Sequence, residues 1–129
     1  MRAGVPLEED EQLAFVQWCR LNGLLVHHSP LEIGGSSTAV KVRAMKMKRM
    51  GASKGFPDLL VFIPVKSLIT GEIDAYQAVA IEMKRQKGSS TSKEQKEWLK
   101  VLEMAGIPCA ICKGAEKAIE FVNSIREEF

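Results

Sequence analysis

Two short segments of the chain contain side chains that could assist phosphodiester hydrolysis. Residues 55–58 (GFPD) end in Asp58, and residues 82–84 (EMK) contain Glu82 and Lys84. Each segment borders an apolar run typical of a β-strand, which predicts two carboxylates and one ammonium group on neighbouring strands of a sheet. Carboxylate oxygens are the ligands that Mg²⁺ prefers, and a bound Mg²⁺ assists hydrolysis of phosphate esters. The pattern predicts a metal-assisted hydrolytic site.

The spacing between Glu82 and Lys84 favours a shared role. Residues two apart on a strand point to the same face, about 7 Å apart along the strand. Lys84 could then orient or deprotonate an attacking water, or neutralise charge on the phosphate. The backbone carbonyl of Met83 is a further candidate metal ligand. The alternative is that Asp58 is a turn residue and that Glu82 and Lys84 form a surface pair. Glu82 however ends the apolar run AVAI, and a charge in a buried strand needs partners.

Hydrophobic periodicity and turn residues predict the elements that would position these side chains. The sequence predicts helices over residues 7–21, 38–50, 93–105 and 115–125, and strands over residues 24–28, 58–63, 77–84 and 107–112. For residues 38–50 strand-like alternation is an open alternative, and residues 29–37 are predicted to form a loop. Long apolar strands with helices between them predict an α/β fold, with a mixed sheet flanked by helices on both faces.

Composition indicates one soluble globular domain over residues 1–129. The chain is 46% apolar and 26% charged, which is ordinary for such a domain. No run approaches the roughly 18 apolar residues that a membrane span requires. Residues 1–10 do not resemble a secretory signal, so we expect a cytoplasmic location, in a bacterium or a phage-infected host cell.

The three cysteines are not arranged as a disulfide framework, because their number is odd. Cys109 and Cys112 form a Cys-x-x-Cys motif, but there is no second pair of ligands for zinc. The motif lies within a predicted strand rather than at a helix N-terminus, where a thiol pKa would be lowered. We therefore expect buried, inert thiols.

Two basic clusters flank the candidate carboxylates. There is no acidic residue over residues 33–57. The first cluster comprises Lys41, Arg43, Lys46, Lys48, Arg49 and Lys54, and the second comprises Lys84, Arg85, Lys87 and Lys93. A solvated helix face is the alternative explanation, but clusters on both sides of the same carboxylates favour a nucleic acid. Such residues would contact the backbone without sequence preference. Because Phe56 is the one aromatic residue near them, duplex or branched DNA is a more natural ligand than a stacked single strand.

Four segments together resemble the VRR-NUC domain, the virus-type replication-repair nuclease branch of the PD-(D/E)XK nuclease superfamily. The segments are GFPD, IEMKR, SKEQKEWL and GAEKAI, ending at residues 58, 85, 99 and 119. The resemblance covers residues 7–121. Asp58 matches the first motif of the family, and residues 82–84 match its E-x-K motif. The resemblance implies a restriction-endonuclease-like core and a DNA endonuclease that depends on Mg²⁺ or Mn²⁺. Standalone members resemble phage enzymes, some of which act as homodimers on branched DNA such as Holliday junctions.

The resemblance also implies two further site residues. One is an acidic residue on the first helix that contributes to the metal site. Glu8 is favoured because Glu8 and Gln12 match the family spacing, and Glu11 is the alternative. The other is Gln95, which could contact the scissile phosphate or a metal-bound water. Its alternative role is to cap its helix in a capping box.

Two rival functions remain open at this point. One is a non-catalytic nucleic-acid-binding module with the same fold, although binding alone does not require carboxylates that face phosphates. The other is a redox or metal-binding protein that uses Cys109 and Cys112. Alkylation of the thiols should abolish the activity of such a protein and leave a nuclease almost unaffected.

Overall fold

The computed structural model describes residues 4–29 and 37–129, and these residues form an α/β fold. The helices are α1 (Glu8–Leu21), α2 (Thr38–Arg49), α3 (Lys93–Met104) and α4 (Ala115–Arg126). The strands are β1 (Leu25–His28), β2 (Leu59–Lys66), β3 (Ile73–Lys84) and β4 (Cys109–Lys113). This order confirms the predicted fold class, and residues 38–49 are helical rather than extended. Most of the predicted loop at 29–37 lies outside the described residues.

The four strands form one mixed sheet in the order β1-β2-β3-β4. β1 and β3 are antiparallel to β2, whereas β4 is parallel to β3 and is reached through α3. Leu59 pairs with Ile81, so the next positions along the two strands bring Asp58 and Glu82 to the same end of the sheet. The register of a single hairpin therefore places both predicted carboxylates side by side.

The two faces of β3 contact different parts of the core, as the period of a strand requires. Val79, Ile81 and Met83 are fully buried in a cluster that also contains Phe15 of α1 and Val122 of α4. The opposite face contributes Ala80 to a smaller cluster, and this cluster includes residues of α3 and β4. Glu82 and Lys84 belong to this second face, which is less crowded because alanines precede them.

The hairpin of β2 and β3 is longer than predicted. β2 continues through Pro64 to Lys66, whereas the sequence predicts that Pro64 ends it. The carbonyl of Asp58 accepts a hydrogen bond from the Ser29 amide on the β1 side. The backbone groups of every second residue of a strand point to the same side, so the backbone nitrogen of Pro64 also faces the β1 side. β1 pairs with β2 only up to Phe62. Pro64 therefore lies at an open edge, where its missing N–H removes no ladder bond.

Helix α2 makes an unusually small contribution to the core. Ser37 caps it by accepting a bond from the Val40 amide at 3.2 Å, and Gly51 follows it at a φ of 104°. None of its residues is buried, and Met45 is 65% exposed. Its packing thus leaves most of its basic side chains in solvent. Among the described residues, no helix has the length and hydropathy needed to span a membrane.

Candidate metal centre and nucleic-acid cleft

Three carboxylates from three different elements converge at one end of the sheet. Glu8 is the first residue of α1, Asp58 directly precedes β2, and Glu82 lies near the end of β3. One carboxylate oxygen from each lies within 4.8 Å of the others. Like charges at such distances repel one another in a partly buried site. The cluster therefore requires a proton or a cation to balance it.

Glu82 is the most buried member of this cluster. The residue is 3% exposed, while Glu8 and Asp58 are partly exposed. Burial, a hydrogen bond to the Asp58 carboxylate and the negative charge of Asp58 together raise the pKa of Glu82 to about 9. The charge of Glu8 acts in the same direction, and the ammonium group of Lys84 opposes it. Glu82 is therefore protonated at neutral pH when no cation is bound, and its carboxyl group donates a hydrogen bond to the Asp58 carboxylate.

The chemistry of this donor set fits a hard divalent cation. Mg²⁺ and Mn²⁺ prefer carboxylate, carbonyl and water oxygens, and the cluster offers one carboxylate oxygen from each of three residues. The Met83 carbonyl could join them. The backbone carbonyl of Lys84 accepts a hydrogen bond from the Gly114 amide on the β4 side. Because successive carbonyls of a strand point to opposite sides, the Met83 carbonyl points towards β2 and Asp58.

Binding of a divalent cation is expected to release a proton from this site. A metal ligand must be deprotonated, so the cation has to displace the proton of Glu82. Between about pH 6 and pH 8 we expect release of roughly one proton for each Mn²⁺ bound. Titration calorimetry in two buffers of different ionisation enthalpy measures this number. A value near zero throughout this pH range would show that Glu82 is not protonated before binding.

The structure distinguishes between the two candidate acids of the first helix. Glu8 lies in the carboxylate cluster, whereas the Glu11 carboxylate accepts a hydrogen bond from Gln86 Nε2 at 2.9 Å. Glu11 follows Glu8 by three residues and points to a different neighbour. The geometry thus supports Glu8 rather than Glu11 as the acid of the candidate metal centre.

Gln95 has the capping role that the sequence offered as its alternative. Its side-chain oxygen accepts a hydrogen bond from the backbone amide of Ser92, and the backbone amide of Gln95 donates to Ser92 Oγ. This capping box fixes the first turn of α3. Gln95 also lines the cleft beside the carboxylates. Capping therefore orients its carboxamide at the site, and a contact with phosphate stays a prediction.

A cleft of about 700 Å³ opens directly over Asp58, Glu82 and Lys84. α2 and the segment that follows it form one wall, and the first turn of α3 forms another. The remaining lining residues are Ala44, Met47, Lys48, Ala52, Ser53, Lys54, Gly55, Phe56, Ser90, Ser92 and Gln95. The volume far exceeds that of a hydrated cation, so the cleft has room for part of a larger ligand.

The predicted basic residues occupy three kinds of position. Lys48 and Lys54 line the cleft. Lys41, Arg43, Lys46 and Arg49 are exposed on α2, and Lys87 is exposed beyond β3. Arg85 instead donates hydrogen bonds to the backbone carbonyls of Val5 and Pro6. The first two groups are exposed, and their contacts with a nucleic acid stay predictions. Arg85 is engaged within the protein.

Several cleft residues have no signal in the sequence. Met47 and Ala44 look like ordinary positions of an amphipathic helix, and Ser53 and Ser90 look like loop residues. Only the fold brings α2 over the end of β3. The basic composition of residues 41–54 was the available clue, because it marks α2 as a segment that faces a polyanion.

The cysteines are buried, as the sequence predicts, and their inertness stays a prediction. All three are free thiols, and burial raises the pKa of Cys19 to about 12 and that of Cys112 to about 11. Cys109 belongs to one core cluster and Cys112 to the other, on opposite faces of the sheet. Their side chains therefore cannot form a shared redox or metal site.

Comparisons with known proteins agree with the family resemblance and the fold. The family model of the VRR-NUC domain matches residues 4–116. A solved structure of a VRR_NUC domain protein is similar, with a TM-score of 0.68 and 25% sequence identity. The match covers 93% of this chain and 88% of the other. A search of curated proteins finds no significant match. The mixed sheet with its flanking helices is consistent with a PD-(D/E)XK-like core, and the chain belongs to the VRR-NUC family of nuclease-type domains.

Proposed function

We propose that this protein is an endodeoxyribonuclease that depends on Mg²⁺ or Mn²⁺ and that prefers branched DNA, including four-way junctions. The observation that carries the proposal is the cluster of Glu8, Asp58 and Glu82, because two of its members, Asp58 and Glu82, line a cleft together with Lys48 and Lys54. Cleft lysines would attract a phosphate backbone, and the carboxylates would hold the cation beside it. Neither feature alone distinguishes a nuclease from a binding module.

Each residue has a defined task in this reaction. Glu8, Asp58 and Glu82 would hold the cation, together with the Met83 carbonyl. When bound, the cation would polarise the phosphate and acidify the attacking water. Lys84 shares the cleft with Glu82, and its ammonium group would orient that water or neutralise charge that develops on the phosphate. Gln95 would present its carboxamide to the phosphate from the first turn of α3. Lys48 and Lys54 would bind neighbouring phosphates and fix the position of the strand.

The preference for branched DNA rests on how the cations are distributed. They lie on exposed α2 and along the cleft, where they could contact phosphates, and phosphate contacts carry no sequence information by themselves. Recognition would then depend on the path of the backbone rather than on sequence. Because a four-way junction requires two cuts, we also propose a two-fold homodimer that presents two sites. The oligomeric state can be measured by sedimentation equilibrium.

Cleavage of labelled DNA tests the proposal directly. The purified protein is incubated with Mg²⁺ or Mn²⁺ and with linear, flapped and four-way substrates of matched sequence. We expect cleavage that requires the cation and that is at least about ten-fold faster on the branched substrates, a difference of about 1.4 kcal/mol in transition-state binding.

Two results would contradict different parts of the proposal. Equal rates on linear and branched DNA would reject the shape preference but not the nuclease. Tight binding of DNA without cleavage under any of the metal conditions would instead identify a non-catalytic binding module. Asp58→Asn is the matched control, since it keeps the shape of the side chain and should reduce cleavage by on the order of 10³-fold.

A further inference from the structure

The two residues that follow the E-x-K segment on β3 are both bonded to the start of α1. Arg85 Nη2 donates to the Val5 carbonyl at 3.0 Å, and Arg85 Nε donates to the Pro6 carbonyl at 3.3 Å. Gln86 Nε2 donates to the Glu11 carboxylate at 2.9 Å. These bonds connect positions about 75 to 80 residues apart in the chain. They fasten the helix that carries Glu8 to the strand that carries Glu82.

The start of α1 needs such an attachment. Its N-cap is Leu7, which provides no side-chain oxygen to cap the helix, and its first turn carries the four acids Glu8, Glu9, Asp10 and Glu11. These charges suit the helix dipole, but Glu8 also lies beside two further carboxylates. Without a cation Glu82 is protonated, but the negative charge of Asp58 would still oppose the approach of the Glu8 carboxylate to the sheet.

The guanidinium of Arg85 suits this task better than a simple positive charge. Its donors lie in one plane at fixed spacing, so a single side chain can bond two successive carbonyls. Gln86 adds a second point of attachment within the first turn of the helix. Space for that second contact comes from Gly114, where a Cβ atom would lie 2.5 Å from Glu11 Oε2 and 3.1 Å from Gln86 Cγ.

We propose that Arg85, supported by Gln86, is a positioning residue that holds Glu8 in the metal centre and is not primarily a DNA contact. The proposal rests on the proposed function in one respect, namely that Glu8 is a metal ligand. Arg85 lies one residue after Lys84, so the same strand end supplies both the site and the tether of its third carboxylate. Loss of the tether should therefore weaken cation binding, although no ligand is removed.

The sign of the expected effect separates this role from simple electrostatics. Removal of a positive charge near a cation site should by itself strengthen cation binding. For Arg85→Met we expect the reverse, an affinity for Mn²⁺ weaker by about ten-fold, as is typical when a residue that orients a metal ligand is lost. Titration calorimetry with the full chain measures this. Lys113→Met is the matched control, because Lys113 is exposed at the end of β4 opposite Lys84 and should show no weakening.

A double-mutant comparison tests whether Arg85 acts through Glu8. Glu8→Gln should weaken Mn²⁺ binding, and adding Arg85→Met to that variant should cause no further loss, because the residue that the tether positions is no longer a ligand. Equal losses in both backgrounds would overturn the proposal. A second result would also overturn it. If Arg85→Met leaves the Mn²⁺ affinity unchanged but reduces the slope of log K for DNA binding against log salt concentration by about one unit, Arg85 is a phosphate contact.

Hydrogen exchange in the metal-free protein provides a readout that does not depend on nuclease activity. In Arg85→Met we expect the amides of Glu11 and Gln12 to exchange at least about ten-fold faster, while those of Trp18 to Arg20 in the same helix keep their rates. Uniform acceleration along α1, or no change at its start, would overturn the proposal. If the wild-type protein binds Mn²⁺ but cuts no DNA, the proposed function fails, and these measurements still decide the role of Arg85.

Discussion

Glu82→Gln is expected to abolish detectable cleavage and at the same time to stabilise the metal-free protein. The activity should fall by on the order of 10³-fold or more, because the cation is worth several kcal/mol to the transition state. The free energy of unfolding should rise because burial and the charges of Asp58 and Glu8 disfavour an ionised side chain at this position, and an amide does not ionise. A functional residue that destabilises its own fold is a common cost of an active site.

The pH dependence of this stabilisation has a definite sign. The pKa of Glu82 in the folded protein, about 9, lies above its ordinary value of 4.5. The stability that the protonated carboxyl contributes is therefore complete below pH 4.5 and is lost as the pH rises through about 9. Glutamine resembles the protonated form at every pH, so the difference in stability between the variant and the wild type should widen between pH 5 and pH 9.

Chemical denaturation in the presence of a chelator measures this difference. Free energies of unfolding at pH 5, 7 and 9 should show similar stability for the two proteins at the lowest pH and a clear advantage for Glu82→Gln at the highest. Added Mn²⁺ should reverse the order, since only the wild type binds the cation tightly. If the variant is less stable than the wild type at pH 9 in chelator, the ionised form of Glu82 does not destabilise the folded protein.

Gly55→Ala is expected to destabilise the protein by about 2–4 kcal/mol, which would be among the larger effects of a single methyl group. Gly55 has a φ of +86°, and a Cβ atom there would lie 2.6 Å from the Glu94 carbonyl carbon and 2.7 Å from the Gln95 amide nitrogen. The backbone at the first turn of α3 cannot move aside easily. It is held by the capping box of Ser92 and by the contact of Phe56 with Trp98, whose ring centroids are 5.0 Å apart.

Gly71→Ala is the matched control for this prediction. Gly71 has a comparable φ of +74°, but nothing lies within 4 Å of a Cβ atom built there. Its substitution should therefore cost only the strain of the left-handed backbone, about 1–2 kcal/mol. Thermal and urea unfolding of both variants isolates the steric part. Equal losses in the two variants would show that the close approach of residues 55 and 94 does not constrain the fold.

Local patterns were sufficient to predict the sheet and the position of its two carboxylates. Alternation of large and small residues in β3 fixes which face Glu82 occupies, because a slip of one residue would move Val79 and Ile81 out of the larger core cluster to the face that Ala80 occupies. The hairpin connection then places Asp58 opposite. The extent of the hairpin was underestimated because Pro64 looks like a strand terminator unless the neighbouring strand is known to end before it.

Charge alone could not reveal what each cation contacts. Arg85 and Lys87 have the same sign and almost the same position in the chain, yet Arg85 bonds the backbone near residue 5 while Lys87 is exposed. Its partners are main-chain carbonyls, which have no signature in a sequence. Glu8 and Glu11 stayed open as alternatives for a different reason. The choice depends on the rotation of α1 about its axis, which the contacts of Arg85 and Gln86 help to fix.

The most direct test of this account is anomalous diffraction from crystals grown with Mn²⁺. The expected result is one ion or a closely spaced pair at the end of the sheet, with oxygens of Glu8, Asp58 and Glu82 at about 2.0–2.6 Å, the range for oxygen ligands of hard divalent cations. An ion bound elsewhere, or no ion beside these three carboxylates at millimolar Mn²⁺, would contradict the central claim that they form a metal centre.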